Sequence, residues 1–156
     1  MNIEIERKFL VRNDKWREIS QGILYRQAYL GSNNKVMTWI RITGEIAFLT
    51  LKSKPVKGFA RMEFEYEIPV HDAEMLINLS EWLIVEKTRY KIKDGEVTWE
   101  IDEFHQENEG LIVAEVELED ENQEFALPEW IGEEVTNDHR YKNSSLARFP
   151  FKIWGK

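Results

Sequence analysis

Charged and apolar residues alternate along several short segments of this chain, most strictly over residues 61–68. One set of alternate positions there holds Arg61 and three glutamates, and the other set holds apolar or aromatic side chains. Successive side chains of a β-strand point to opposite faces of the sheet, so this run predicts a strand with one charged face. The first twelve residues repeat the pattern, with Glu4, Glu6 and Lys8 on one face. A chain built this way keeps the charges of each strand on a single side of its sheet.

The same alternation predicts about eight strands along the chain, over residues 1–12, 23–30, 36–42, 46–53, 61–68, 85–92, 97–104 and 111–119. Tight turns are predicted at Thr43-Gly44-Glu45 and Asp94-Gly95, and a loop over 54–58. Apolar residues spaced three and four apart predict a helix over 72–83. Shorter helical segments are predicted over 121–126 and after Asp138. The fold class is therefore α+β and mainly β, and residues 1–156 are expected to form one domain.

The composition excludes several classes of function. The chain has no cysteine, which rules out disulfides and thiolate metal sites, and its net charge of -8 opposes broad binding to nucleic-acid phosphates. The opening residues MNIEIERK lack the basic start and apolar run of a signal peptide, and no segment approaches the ~20 apolar residues of a membrane span. We therefore expect a cytoplasmic protein that binds neither nucleic acid nor membranes.

Two architectures can accommodate strands that carry charge on one face. In a sandwich the apolar faces meet and the charged faces lie in water. In a closed barrel the charged faces line a lumen, and helices or a partner subunit cover the apolar outer faces. Threonine, serine and glutamine are common on solvent-exposed strands but sparse at these charged positions, which favours the barrel. An uncovered outer face would favour a homodimer.

Charges of both signs inside a closed lumen predict a ligand. Basic side chains in a confined space repel each other unless a polyanion neutralises them, and a cluster of carboxylates needs a cation. The candidate basic residues are Lys8, Arg41, Lys52, Arg61, Lys87 and Arg89, and the candidate acids are Glu4, Glu6, Glu63, Glu65, Asp102, Glu115 and Glu117. A short phosphate chain chelated by Mg²⁺ or Mn²⁺ needs both groups.

Six further motifs follow the opening Glu4-x-Glu6-x-Lys8 along nearly the whole chain: Thr50-Leu51-Lys52-Ser53, Arg61-x-Glu63-x-Glu65, Glu86-Lys87-Thr88-Arg89-Tyr90, Glu100-Ile101-Asp102, Glu115-Val116-Glu117 and Arg140-Tyr141-Lys142-Asn143. In this order they resemble the CYTH family, the triphosphate tunnel metalloenzymes. That family includes class IV adenylate cyclases, thiamine triphosphatases, inorganic triphosphatases and fungal-type RNA triphosphatases. The resemblance implies a closed eight-stranded antiparallel β-barrel that hydrolyses or cyclises triphosphates with a divalent metal.

The resemblance also implies roles for the residues that match the family's motifs. Its metal-binding carboxylates correspond to Glu4, Glu6, Glu115 and Glu117. The supporting acids are Glu63, Glu65 and Asp102, and Glu65 and Asp102 are also expected to take part in metal binding. Its phosphate-binding cations correspond to Lys8, Arg41, Lys52, Arg61, Lys87, Arg89 and Lys142. One position departs from the family, because Trp39 stands where members often have an arginine. The exchange removes one bidentate phosphate contact.

We expect in-line attack of water on a terminal phosphorus, with Mg²⁺ or Mn²⁺ as cofactor. Glu63 or Glu115 could accept the proton of the water. A pair of Lys8 and Tyr29 could also do so if their strands are neighbours, because an adjacent ammonium lowers the pKa of a phenol.

Inorganic triphosphate is the expected substrate, since no segment of the short chain is dedicated to a nucleobase or a thiamine ring. The alternatives are a class IV adenylate cyclase acting on ATP, a thiamine triphosphatase, and a non-catalytic module that binds polyphosphate or nucleotides. Trp39 is the one hint of such a module.

Overall fold

The computed structural model describes residues 3–55, 58 and 60–154, which form nine strands and two short α-helices. The strands are β1 (Ile3–Val11), β2 (Ile23–Ser32), β3 (Val36–Thr43), β4 (Ile46–Ser53), β5 (Arg61–Ile68), β6 (Val85–Asp94), β7 (Val97–Phe104), β8 (Ile112–Leu118) and β9 (Ile131–Glu134). The helices are α1 (Val70–Leu76) and α2 (Asn143–Arg148), with 3₁₀ turns at Lys15–Glu18, Ile77–Leu79, Gln106–Asn108, His139–Tyr141 and Phe151–Ile153. The start of the first predicted strand and part of the loop predicted over 54–58 lie outside the described residues.

Eight strands close into a ring of antiparallel neighbours in the order β1-β5-β4-β3-β2-β6-β7-β8, with β8 returning to β1. β1 pairs with β8 along six residues, from Ile5 to Leu10. Its other edge pairs with β5 through Ile3↔Met62 and Glu4↔Arg61, and further along with β9. The prediction of a closed eight-stranded antiparallel barrel is confirmed. The four-residue strand β9 was not predicted, because so short a segment shows no clear alternation.

Glycines allow the two tight turns that were predicted from sequence. Gly44 between β3 and β4 and Gly95 between β6 and β7 have φ angles of 59° and 64°. These values lie in the left-handed region, where glycine carries no Cβ penalty. Each turn brings its two strands into direct register, so the charged faces of neighbouring strands point to the same side.

The apolar outer faces of the ring are covered by the helix, the turns and the loops. Helix α1 and the turn that follows it pack Ala73 and Ile77 against Ile40, Ile42 and Ala47 on β3 and β4. Elsewhere the 3₁₀ turn after β1 and the segment before β9 complete a second cluster, which includes Ile5, Phe9, Trp16, Trp99, Ile101, Val116 and Trp130. The predicted helix over 72–83 is shorter than expected, since α1 ends at Leu76 and continues as a 3₁₀ turn.

The helix predicted over 121–126 is wrong. Side chains bond the backbone here in place of a helix, because Asp120 Oδ1 accepts the N–H of Asn122 at 2.7 Å and Gln123 Oε1 accepts that of Glu119 at 2.7 Å. The segment lies against the barrel and packs Phe125 edge-on to Phe9 and Trp99. Its apolar residue serves as part of the outer cover.

A third apolar cluster fills the interior of the barrel near α2. Five strands contribute one side chain each at an inward position, namely Tyr29, Trp39, Val85, Phe104 and Val113. Leu146 and Ala147 of α2 pack against them. We call this cluster the plug. It replaces the charged lining with packed side chains and closes that end of the lumen.

The outer face of β5 is only partly covered, with Met62 and Tyr66 40% and 56% exposed. A surface of this kind suits the homodimer predicted from sequence, which stays a prediction. Within the described part of the chain, no helix combines the length and apolar character that crossing a membrane requires.

Candidate active site

The lumen beside the plug is a cavity of about 280 Å³ lined by side chains from all eight strands of the ring. Seven basic and seven acidic residues face it, so its formal charges balance. The basic residues are Lys8, Arg41, Lys52, Arg61, Lys87, Arg89 and Lys142, and the acidic residues are Glu4, Glu6, Glu63, Glu65, Glu100, Glu115 and Glu117. The structure therefore brings together every site residue predicted from sequence except Asp102, which is fully buried behind the lining.

Asp102 organises one side of the cavity, which we call the β6–β7 wall (Lys87, Arg89 and Asp102). Its two carboxylate oxygens accept hydrogen bonds from Lys87 Nζ at 2.8 Å and from Arg89 Nε and Nη2 at 2.7 and 2.8 Å. Burial alone would raise the pKa of Asp102, but Arg89 and Lys87 lower it to about 2. Burial and the nearby Arg89 lower the pKa of Lys87 to about 8. Asp102 thus holds two cations in fixed positions at the lining.

A second group of charges surrounds Lys8 and Lys52. Lys8 Nζ donates to Glu115 Oε1 at 2.9 Å and to Glu6 Oε1 at 3.3 Å, while Lys52 forms ion pairs with Glu4 and Glu6. Burial would raise the pKa of Glu6, yet Lys52 and Lys8 hold it well below its usual range. Burial and the neighbouring Glu6 raise the pKa of Glu4 to about 9. The nearby lysines therefore stabilise the ionised form of Glu6 more than that of Glu4.

The ionised forms of the remaining acids of this region are disfavoured by burial and by neighbouring carboxylates. The pKa of Glu115 is raised by burial and by Glu6, and that of Glu117 by burial, Glu100 and Glu63. Carboxylate oxygens are the donors that Mg²⁺ and Mn²⁺ prefer. In the structure Glu4, Glu6 and Glu115 turn toward lysines, and among the described residues no three acidic or histidine side chains form a ready metal cage. The donors suit a divalent cation, which would compete with the lysines for them.

Arg61 and Lys142 form another part of the lining, which we call the β5–α2 wall. Neither residue forms an ion pair with any other residue that the structure describes. Burial, Arg61 and Lys54 lower the pKa of Lys142 to about 8. Lys142 reaches the cavity because it precedes α2 in extended conformation, and α2 is anchored by the buried Leu146. Uncompensated positive charge therefore collects on this wall.

The segment between β9 and α2 is also part of the cavity and could not be predicted from strand alternation. Thr136 lines the cavity, and its Oγ1 accepts the backbone N–H of Lys8 at 3.0 Å. Asn143 Oδ1 accepts a hydrogen bond from Lys87 Nζ at 2.9 Å. Among the strands, Glu100 was missed as a lining residue, although its position two residues before Asp102 is a usable signal.

The condition under which Lys8 and Tyr29 could act as a pair, namely neighbouring strands, is not met. In the ring β1 neighbours β8 and β5, whereas β2 neighbours β3 and β6, so their strands are not adjacent. Burial raises the pKa of the Tyr29 phenol, and the smaller opposing effect of Lys8 does not reverse it. The aromatic ring of Tyr29 packs against Trp39 and Trp82, with 5.7 Å between ring centroids in each case. Tyr29 therefore belongs to the plug, as does Trp39.

Comparison with known proteins gives a consistent result. The CYTH domain family model matches residues 2–149. The chain is 46% identical to an inorganic triphosphatase of Acetivibrio thermocellus over 97% of both chains, and 43% identical to one of Nitrosomonas europaea over 92% of this chain and 96% of the other. A crystal structure of an inorganic triphosphatase has a TM-score of 0.67 and 39% identity, covering 92% of this chain and 93% of that one. With its closed ring, inward charges and near full-length matches, the chain belongs to the CYTH domain family.

Proposed function

We propose that this protein hydrolyses inorganic triphosphate to pyrophosphate and phosphate with the help of a divalent metal ion. The observation that carries the proposal is the enclosed cavity in which seven basic residues face seven acidic ones. A bare phosphate chain with a bound cation supplies the charges that complement both sets. The two relatives named inorganic triphosphatases, at 43% and 46% identity, support the same substrate.

We assign the phosphate chain to the basic residues. Arg61 and Lys142 are free of ion pairs with the described residues and would take up phosphate without breaking an existing contact. Lys87 and Arg89 are held at the lining by Asp102, and Arg41 is held by Glu65 through a 2.8 Å contact. Lys8 and Lys52 would exchange part of their carboxylate contacts for phosphate oxygens. Hydrogen bonds from cations to phosphate are among the strongest that a protein forms.

We assign the metal ion to Glu4, Glu6, Glu115 and Glu117. When bound, Mg²⁺ or Mn²⁺ supplies Lewis-acid stabilisation of the phosphoryl oxygens. Glu4, Glu6, Glu115 and Glu117 bring four carboxyl groups to one region of the cavity, and burial together with Glu6 raises the pKa of Glu4 to about 9, so a cation would stabilise its ionised form. For Glu65 and Asp102 we propose a positioning role in place of the metal role expected from the family, because each already holds a basic residue of the lining.

We assign proton acceptance from the attacking water to Glu63. Glu115 is held by Lys8 at 2.9 Å and lies among the metal donors, whereas Glu63 is half-buried and forms no ion pair with the described residues. A Glu63→Gln variant should therefore lower kcat by about a hundredfold and leave KM nearly unchanged. A rise in KM with unaltered kcat would show that Glu63 binds substrate.

A substrate panel tests the function. Phosphate release is measured with tripolyphosphate, ATP and thiamine triphosphate, each with Mg²⁺ or Mn²⁺. We expect tripolyphosphate to give the highest kcat/KM. Cyclic AMP from ATP would identify a cyclase, preference for thiamine triphosphate would identify that activity, and tight tripolyphosphate binding without product would identify a binding module. Each of these three results would contradict the proposal.

A further inference from the structure

Four side chains from consecutive strands of the ring form an alternating stack of aromatic rings and guanidinium groups. In the order β4, β3, β2, β6 they are Phe48, Arg41, Tyr25 and Arg89, and we call them the aromatic–arginine stack. The Arg41 Cζ atom lies 5.0 Å from the ring centre of Phe48 and 5.5 Å from that of Tyr25. The Arg89 Cζ atom lies 5.1 Å from the same Tyr25 ring. One tyrosine therefore contacts both cations.

The two guanidinium groups of the stack are held differently at their outer ends. Arg89 is fixed by two hydrogen bonds to Asp102. Arg41 has one carboxylate contact, from Nη2 to Glu65, while its buried Nε has no hydrogen-bond partner among the described residues. A single hydrogen bond fixes the guanidinium of Arg41 less firmly than the two bonds to Asp102 fix that of Arg89. The contacts of Arg41 with the rings of Tyr25 and Phe48 therefore contribute to its orientation.

Tyr25 is 5% exposed, whereas Arg41 and Arg89 both line the cavity. Two like charges on nearby strands repel each other, and an aromatic ring between them offers an electron-rich face to each. We propose that Tyr25 is a positioning residue, which aims Arg41 and Arg89 at the phosphate chain and so raises the affinity for triphosphate. This inference rests on the proposed function and names a residue that acts through the two arginines.

The test compares Tyr25→Leu with the conservative Tyr25→Phe. Leucine keeps the apolar packing but removes the ring and both of its cation–π interactions, so KM for tripolyphosphate should rise about tenfold. The chemical step involves other residues, so kcat should change by less than about twofold. Phenylalanine keeps the ring and should restore the KM of the wild type. Equal KM values for the leucine variant and the wild type would overturn the inference, and so would failure of phenylalanine to restore KM.

A second comparison shows whether Tyr25 acts through Arg41. Arg41→Lys keeps the charge but loses the planar group that stacks on a ring. In that background Tyr25→Leu should raise KM by less than in the wild type, because one of its two partners is already gone. Additive effects of the two substitutions would contradict the proposed coupling.

Two controls separate failure of this inference from other failures. Thermal melting identifies variants that do not fold, and Tyr25→Met, which fills the site with an unbranched chain, then replaces the leucine variant in the same comparison. Calorimetric titration of tripolyphosphate without metal reports binding even if turnover is absent. A wild type that binds but does not hydrolyse would contradict the proposed function, while a Tyr25→Leu variant that binds as tightly as the wild type would contradict the role of Tyr25.

Discussion

The β6–β7 wall and the β5–α2 wall face the same cavity, but their cations are in different electrostatic settings. On the β6–β7 wall a fully buried aspartate binds and orients both Lys87 and Arg89 before any ligand arrives. On the β5–α2 wall Arg61 and Lys142 have no such partner among the described residues, and their mutual repulsion contributes to the lowered pKa of Lys142. The contacts of the first wall form on folding, whereas we expect the second wall to be stabilised when the proposed phosphate chain binds.

This difference separates stability from affinity. Preorganised charges cost little to use in binding because their orientation was fixed on folding. Uncompensated charges cost some stability in the free protein and return it when phosphate binds. Substitutions on the β6–β7 wall should therefore mainly lower the free energy of unfolding, and substitutions on the β5–α2 wall should mainly weaken the binding of triphosphate.

The largest effect is expected when the β6–β7 wall loses its aspartate. Asp102→Asn removes the buried carboxylate that binds both Lys87 and Arg89 and leaves, among the described residues, only the longer ion pairs of Arg89 with Glu100 and Glu115, which should lower the free energy of unfolding by about 3–5 kcal/mol. Chemical denaturation measures the change. The matched control is Glu103→Gln, whose partially exposed pair with Arg17 is worth about 1 kcal/mol or less. Equal stabilities for the two variants would show that the wall is not preorganised.

A smaller effect on stability, but a clear effect on binding, is expected on the β5–α2 wall. Lys142→Ala removes a cation that has no ion pair within the described part of the chain, so KM for tripolyphosphate should rise about tenfold or more, as expected for a charge-assisted hydrogen bond. The free energy of unfolding should be unchanged or slightly higher. Lys152→Ala, at an exposed lysine outside the cavity, is the control and should alter neither quantity. Destabilisation by Lys142→Ala without a change in KM would show that Lys142 contributes to stability and not to binding, which would contradict the difference between the two walls.

The pH dependence of binding should show the smallest effect. Lys142 has a pKa of about 8, so it is charged below that pH and loses its charge as the pH rises above it. Affinity for tripolyphosphate should therefore fall across this range. Lys142→Arg keeps its charge and should lose less affinity, with the rest of the fall due to Lys87, whose pKa is also about 8. Identical pH profiles, measured by calorimetric titration, would remove Lys142 from the anion site.

Much of the fold follows from the alternation of residue types. The inward positions of Glu4, Arg61 and Glu115 were predictable because a strand has a period of two, and the sparse neutral polar residues favoured a lumen. Lys142 lies outside any strand, so it was predicted only from the resemblance to the family. Thr136 was not predicted, because alternation within a strand cannot reveal its long-range contact with Lys8.

The errors have a common physical cause in tertiary structure. The pKa of Tyr29 was predicted from one neighbouring charge, but burial in the plug has the larger effect. The helix predicted over 121–126 failed because Phe125 is needed to cover the barrel. The spacing of residues along the chain shows neither that the phenol of Tyr29 is buried nor that Phe125 packs against residues distant in sequence.

Magnesium dependence of phosphate release from tripolyphosphate tests most directly whether charges enclosed in the barrel hold a metal and a polyanion. The assay compares the wild type with Glu6→Gln, inside the cavity, and Glu67→Gln, an exposed glutamate two positions beyond Glu65 on β5. We expect the wild type and Glu67→Gln to require Mg²⁺ and to match each other, and a folded Glu6→Gln to lose metal-dependent hydrolysis. Wild-type turnover by Glu6→Gln, or full activity of the wild type in excess chelator, would contradict the metal role assigned to the cavity.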